Sequence, residues 1–371
     1  MKVENIETYH MQIPLHTPFK TALRTVTVAD TIIVKITSDN GITGWGEAPP
    51  THVITGDSLA SIDYAIAKIL KPVLLGESLD HYEQIFEKIH TCLVGNTSAK
   101  AALDMAVYDY NAQKAGMPLT HFLGGYTEAI ETDYTVSVNS PEQMAADAFT
   151  YKNNGFDVLK IKVGKDDINK DIARIQAIRK RAGNEVIIRL DANQGWERKE
   201  AVKAIRKMED LGLNIELIEQ PVKRYDLAGL KYVTDNTDTP IMADESVFSP
   251  LDARLILENE AADFINIKLM KTGGIHQAMK IAKLAAVYGV ECMVGSMIES
   301  KLGITAAAHF AASQPNVTRY DFDAPLMLTG DSIEGGISYQ KNQIRLGNST
   351  GLGVKKLNKD FIIGSDLMKL S

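Results

Sequence analysis

Polar residues recur along the second half of this chain at a spacing that fits one common architecture. Between about Thr132 and Pro325, short apolar stretches read as strands: TDYTVSV, VLKIKVG, IIRLDANQ, IELIEQP, PIMADES, FINIKLMK, VECMVGS and TRYDFDAP. Amphipathic stretches of helical period lie between them. The landmark residues Lys162, Asp191, Glu219, Asp244, Lys268, Ser296 and Asp321 succeed one another every 24–29 residues. That is the length of one strand, one crossover helix and two loops. Eight such strands, with no glycine-rich dinucleotide fingerprint after the first, favour a closed α/β barrel over a doubly wound sheet.

The flanking segments read differently. Met1–Leu15 and Thr31–Gly46 are rich in β-branched residues, and Asn40-Gly41 predicts a hairpin with a type I′ turn. Helical patterns follow at Ser58–Leu74, His81–Leu93 and Thr97–Lys114. In the last, Thr97 or Ser98 is the expected cap and Ala101, Leu103, Met105, Ala106 and Tyr108 form the buried face. These features predict an α+β capping domain over 1–125, the barrel over 126–328, and a segment over 329–371. In that segment ISYQ, NQIRL and GLGV return as strands to the N-terminal domain.

Composition narrows the function. With 371 residues, 45% hydrophobic and 23% charged, the chain can bury a large core. Its net charge is −7 and it has no run of Lys or Arg, so nothing draws it to nucleic acid or an anionic membrane, and a small-molecule partner is expected. Cys92 and Cys292 have neither disulfide-framework nor zinc-site spacing. The start MKVENIETYH has no apolar signal core, and no stretch approaches the roughly 20 apolar residues of a membrane span, which together suggest a cytoplasmic protein.

Strand alternation sorts each segment into two faces. In VLKIKV, Leu159, Ile161 and Val163 share the helix-facing side, so Lys160 and Lys162 point into the barrel. In FINIKL the same logic sends Asn266 and Lys268 inward. Asp191, Glu219 and Asp244 fall late in three consecutive strands, where the active sites of such barrels lie. Three carboxylates without histidine or thiolate suit Mg²⁺, with Mn²⁺ as an alternative, rather than zinc. Lysines stand before and after them in strand order, hence on opposite walls. A lysine serves as a base when burial or a neighbouring cation brings its pKa down towards neutrality. Two such bases across a metal-bound carboxylate can remove an α-proton on one face and return one on the other, which describes a racemase or epimerase.

With these motifs in view, the chain closely resembles the dipeptide epimerases of the muconate-lactonising subgroup of the enolase superfamily, over essentially its whole length. The resemblance rests on LKIKVG, LDANQGW, IEQP, ADES and NIKLMKTGG. It implies a modified TIM barrel, (β/α)7β-like, capped by an N-terminal α+β domain that the C-terminal segment completes. It implies Mg²⁺ on Asp191, Glu219 and Asp244, with Lys162 and Lys268 as the acid/base pair, Lys160 assisting, and 1,1-proton transfer through an enediolate. The implied reaction interconverts L-Ala-D-Glu and L-Ala-L-Glu in murein peptide recycling. DFDAP, with Asp321 and Asp323, matches the segment that receives the substrate ammonium, with a local charge pair to Arg319 as the alternative. Arg24, in TPFKTALRTVT, matches the residue that reads the glutamate carboxylate. Thr135, Ser296 and Ile298 match other pocket positions, and Asn193 and Glu245 follow metal-ligand positions. A second lid would be Pro49–Ser58, hinged at Gly56, whereas His309 is expected to be structural.

Other readings stay open at this stage. Within the superfamily they are an epimerase of other dipeptides, an o-succinylbenzoate synthase, an N-acyl amino-acid racemase or a cycloisomerase. From another class, the barrel could bind acidic peptides without turning them over. Barrel enzymes of this type can form homo-oligomers, and no segment marks an interface.

Overall fold

A computed structural model describes residues 1–365; the last six residues of the expected C-terminal segment, 366–371, lie outside the described residues. Its centre is a sheet of eight parallel strands in strict sequential order: Tyr134–Val136, Val158–Lys162, Ile187–Asp191, Ile215–Glu219, Ile241–Ala243, Phe264–Lys268, Cys292–Gly295 and Val317–Tyr320. The Asp133 N–H donates to the Tyr320 carbonyl at 3.2 Å, which joins the first strand to the last and curls the sheet into a barrel. Seven of the eight strands lie within the apolar stretches identified in the sequence, and the eighth starts one residue earlier, at Val317.

The outward faces are aliphatic. Leu159, Ile161, Ile188, Leu190, Ile218, Ile265 and Ile267 are buried in one continuous core with the surrounding helices. Full burial of such a side chain is worth about 1.5–3 kcal/mol before entropy is counted. The helices start where short polar side chains can satisfy their free N–H groups. Ser140 and Ser249 cap helices that open on Pro141 and Pro250, and Asp167, Asp226 and Ser300 cap three more. Inside the barrel, Leu217, Met242 and Met293 pack as a separate apolar layer. Glu219 and Asp244 lie two residues beyond Leu217 and Met242, so this layer is a dry floor beneath them. Arg189, two residues before Asp191, pairs with Asp133 at 3.0 Å and Glu216 at 2.6 Å.

The cap is a three-stranded meander, Val3–Lys20, Thr25–Ser38 and Thr43–Ala48, backed by helices. A continuous helical stretch covers Leu59–Leu74, including one π-helical turn, and further helices span Tyr82–Thr91 and Thr97–Lys114. The long helix lies directly on the third strand. A Cβ at Gly46 would meet the Ala102 carbonyl oxygen at 1.9 Å, so only glycine permits this contact. Two local expectations are corrected. The turn after Ser38 is closed by Gly41 N–H to the Ser38 carbonyl, and Gly41 takes φ +82° whereas Asn40 does not take a positive φ. It is therefore a three-residue turn ending in a glycine bulge, not type I′. The long helix is capped neither by Thr97 nor by Ser98. Its boundary residue is Asn96, and the Ser98 N–H is satisfied by Asp57, 41 positions away.

The C-terminal segment divides its pairing. Ile362–Ser365, outside the stretches expected to return as strands, adds antiparallel to the first cap strand. The hairpin Ser338–Gln340/Gln343–Arg345 instead pairs with Ala129–Glu131, just before the barrel. Ile333–Gly335 pairs with Val354–Leu357, and the Leu352 N–H donates to Asp109 of the long cap helix at 2.7 Å.

Candidate active site

Strand register assembles the site. Lys162 lies beside Asp191, and Asp191 beside Glu219, because the ends of the second, third and fourth strands are level. Asp244 follows the fifth strand and Lys268 ends the sixth. Strands two and six are diametrically opposed in an eight-stranded barrel. Lys162 and Lys268 therefore face each other across one cavity that both line.

Ion pairs fill the base of that cavity. Lys162 Nζ is 2.5 Å from Asp191 Oδ2, and Lys268 Nζ is 2.6 Å from Asp244 Oδ2 and 3.9 Å from Glu219 Oε1. Lys160 Nζ, almost wholly buried, reaches Asp321 at 2.7 Å, Glu219 at 2.8 Å and Asp191 at 3.4 Å. Asn266 donates to Glu219 Oε1 at 2.9 Å. One lysine was not anticipated: Lys271, fully buried, pairs with Asp244 Oδ1 at 2.6 Å and donates to the Asn266 carbonyl at 2.9 Å. It sits on the short helix Leu269–Thr272, where strand alternation no longer applies. Among the described residues, no three acidic, histidine or cysteine side chains are gathered closely enough to hold a metal ion, since ammonium groups stand between the carboxylates. The donors themselves suit a hard cation. Glu219 Oε2 and Asp244 Oδ1 are buried carboxylate oxygens that each already face a positive charge, the Lys160 ammonium at 2.8 Å and the Lys271 ammonium at 2.6 Å.

The electrostatics depart from the sequence expectation. Burial alone would depress Lys268 and Lys160, but Asp244 and Glu219 around the first, and Asp321 and Glu219 around the second, outweigh it and hold both above the ordinary lysine range. The expected fall towards neutrality is reversed because the nearest groups are carboxylates rather than cations. Burial also opposes ionisation of Asp191 and Asp244, yet Lys162 and Lys268 respectively keep each below its usual value. Glu219 is pushed up to about 7 by burial and by Asp191, and Glu245 to about 8 by burial and by Asp244. Asn193 links these groups, donating its backbone N–H to Asp191 Oδ1 at 2.9 Å and its side-chain amide to Glu245 at 3.2 Å.

The cavity wall carries the remaining expected residues. Arg24, Thr135, Ser296, Ile298, Asp321 and Asp323 all line it, together with Phe19, Val53 and Ile54. Arg24 stands at the tip of the first cap hairpin, which the Val138 N–H and the Lys20 carbonyl tie to the barrel at 3.1 Å. Its guanidinium has no ion pair among the described residues, and burial lowers its pKa. Asp323 accepts the Thr135 N–H at 2.6 Å and is raised to about 7 by burial and by Asp321. The alternative partner for this acidic pair is ruled out, because Arg319 pairs with Glu216 at 3.0 Å and Glu291 at 2.7 Å. His309 is structural: it accepts the Thr120 N–H at 3.0 Å and burial lowers it to about 4.

Comparison with known proteins gives consistent matches. Residues 4–124 match the model of the mandelate racemase/muconate lactonizing enzyme N-terminal domain, and residues 143–359 that of the enolase C-terminal domain-like family. The chain is 63% identical over 369 residues to the L-Ala-D/L-Glu epimerase of Bacillus subtilis (strain 168), covering 100% of this chain and 99% of that one. Among solved structures, a substrate-liganded complex of the Bacillus subtilis L-Ala-D/L-Glu epimerase superposes with a TM-score of 0.96 at 64% identity, covering 96% of this chain and 100% of that chain. A dipeptide epimerase from Enterococcus faecalis V583, complexed with Mg and the dipeptide L-Leu-L-Tyr, gives 0.93 at 44% identity, with coverage of 96% and 100%.

Proposed function

As a member of the enolase superfamily, in its mandelate racemase/muconate lactonizing branch, this chain is an isomerase of amino-acid derivatives, and we propose that it interconverts L-Ala-L-Glu and L-Ala-D-Glu. The observation that carries this reading is the opposition of Lys162 and Lys268 across one cavity that also holds Arg24 and Asp323.

Each residue has a distinct task. With the glutamyl α-carbon between the lysines, one takes its proton and the other delivers a proton to the opposite face, which inverts the centre without net change in composition. Reversal exchanges the roles. Asp191, Glu219 and Asp244 would hold Mg²⁺, which when bound supplies positive charge for the developing charge of a carboxylate and, by taking up the triad's negative charge, lets burial lower the basicity of the lysines. Lys160, cationic between Asp321 and Glu219, adds a fixed positive charge beside the triad. Arg24 supplies a planar fork for the substrate's side-chain carboxylate, and Asp323 with Asp321 supplies acceptors for its free ammonium. Phe19, Val53 and Ile54, from the hairpin tip and the Pro49–Ser58 lid, cover the cavity against water.

This reading places the enzyme in breakdown of cell-wall peptides, with a free dipeptide as partner. A cytoplasmic location suits the free thiols of Cys92 and Cys292. Among the described residues, no helix is long and apolar enough to cross a membrane. Incubating the protein with Mg²⁺ and L-Ala-L-Glu, then separating the diastereomers by chromatography, tests the proposal. Appearance of L-Ala-D-Glu supports it, whereas turnover of N-acetylated Ala-Glu at an equal rate would favour an N-acyl amino-acid racemase.

A further inference from the structure

Glu47 lies outside the cavity, on the third cap strand, yet its carboxylate is turned onto the barrel. It is fully buried. Its Oε1 accepts the Ser300 N–H at 2.7 Å, and its Oε2 accepts the Ser300 hydroxyl at 2.6 Å and the Gly303 N–H at 2.7 Å. Ser300 is the boundary residue of the helix Lys301–Ala311, so a carboxylate from another domain satisfies N–H groups that the helix cannot satisfy itself. Beside it, the buried Glu299 accepts the Met297 N–H at 2.9 Å. Both carboxylates approach Gly303, where a Cβ would meet Glu299 Oε2 at 2.6 Å and Glu47 Oε2 at 3.1 Å.

The two chain segments that meet here each supply a wall of the cavity. Immediately before Glu299, the seventh-strand loop presents Ser296, Met297 and Ile298 to the substrate space. Two residues after Glu47 the chain enters the Pro49–Ser58 lid, whose Val53 and Ile54 form the facing wall. Neither wall contains Lys162 or Lys268. We propose that Glu47 is a positioning residue for dipeptide binding, which holds the Ser296–Ile298 wall and the root of the lid in register through Ser300 and Gly303. The inference rests on the dipeptide reading of the cavity. Removal of the carboxylate would leave the Ser300 and Gly303 N–H groups buried without acceptors, and the wall would move to find new ones. Substrate binding then weakens while the acid/base geometry is kept.

The test uses the full chain as wild type, Glu47→Ala and Glu47→Gln, with Mg²⁺ present. Amide hydrogen exchange is followed over 296–303 and 49–58, and steady-state kinetics on L-Ala-L-Glu are run in parallel. In Glu47→Ala the expected result is faster exchange in both segments, KM raised ~10-fold and kcat within ~3-fold of wild type. Glu47→Gln, which keeps one acceptor oxygen, is expected to lie between, and carries the test if the alanine variant does not fold. Unchanged exchange and KM in the folded variants would overturn the proposal, as would a loss confined to kcat. A wild type that exchanges normally but turns over no dipeptide would instead refute the substrate reading, and the exchange data would still decide whether Glu47 positions the walls.

Discussion

The Lys160 ammonium lies 2.7 Å from the Asp321 carboxylate, bridging the second barrel strand to the turn after the eighth. Asp321 thus has a buried cation of its own, which holds it below the usual carboxylate range against the effect of burial. Asp323 is held instead by Thr135, whose N–H it accepts at 2.6 Å, and burial with Asp321 raises it. The two acids therefore answer differently to neutralisation. Asp323→Asn is expected to raise KM for L-Ala-L-Glu about 10-fold with little change in kcat, whereas Asp321→Asn should lower kcat by releasing Lys160. Steady-state kinetics separate them, and identical profiles would contradict this division.

Arg24 projects a guanidinium into the cavity without an ion pair among the described residues. Loss of a bidentate carboxylate contact leaves a substrate charge without a partner. Arg24→Ala is therefore expected to reduce kcat/KM on L-Ala-L-Glu by ~10²-fold, and to spare dipeptides with an apolar second residue. A dipeptide panel checks this, and equal losses across the panel would remove Arg24 from the specificity account.

Asp244 bears two lysines as well as its proposed share of the metal. Asp244→Asn should weaken Mg²⁺ binding by on the order of 10²-fold, read by calorimetry and by the Mg²⁺ dependence of turnover. Treatment of the wild type with a chelator should abolish turnover reversibly. Unaltered affinity in the variant would exclude Asp244 as a ligand.

Much of this was legible in the chain because barrels repeat. The 24–29-residue rhythm located seven of the eight strands, the first being legible only as the apolar stretch TDYTVSV, and alternation within VLKIKV and FINIKL separated Lys160, Lys162 and Lys268 from their aliphatic neighbours. Legibility ended where a contact depends on distant chain. Lys271 lies one turn past its strand, on a four-residue helix. Glu47 and Asp57 meet their N–H donors 253 and 41 positions away, which no local pattern signals. The charge state of Lys268 also depends on how closely Asp244 approaches, a matter of side-chain packing rather than spacing.

Glu299 gives the fold a pH dependence. Burial, reinforced by Glu47, raises its carboxyl from 4.5 to about 8, so the folded state holds a proton that the unfolded chain releases. The native state binds more protons between those values, and stability must fall as pH rises through that window. The loss is on the order of 4 kcal/mol by pH 8, since a tenfold difference in proton affinity between the folded and unfolded chains is worth about 1.4 kcal/mol. Glu299→Gln mimics the neutral acid and should remove the Glu299 share of the slope, leaving that of the other raised carboxyls, Glu219, Glu245 and Asp323. Thermal melts from pH 5 to 8.5 check this: the variant should gain on wild type as pH rises, and parallel curves would show that Glu299 is ionised in the fold.

The most direct test of the two-lysine account is proton NMR in D₂O with Mg²⁺, following the glutamyl α-proton of L-Ala-L-Glu and of L-Ala-D-Glu separately. Wild type is expected to exchange both and to interconvert them. Lys162→Ala and Lys268→Ala should each lose epimerisation by ~10³-fold or more, while each retains α-proton exchange with one diastereomer, a different one in each variant. Near-normal epimerisation by either variant, or exchange of the same diastereomer by both, would contradict the assignment of one lysine to each face.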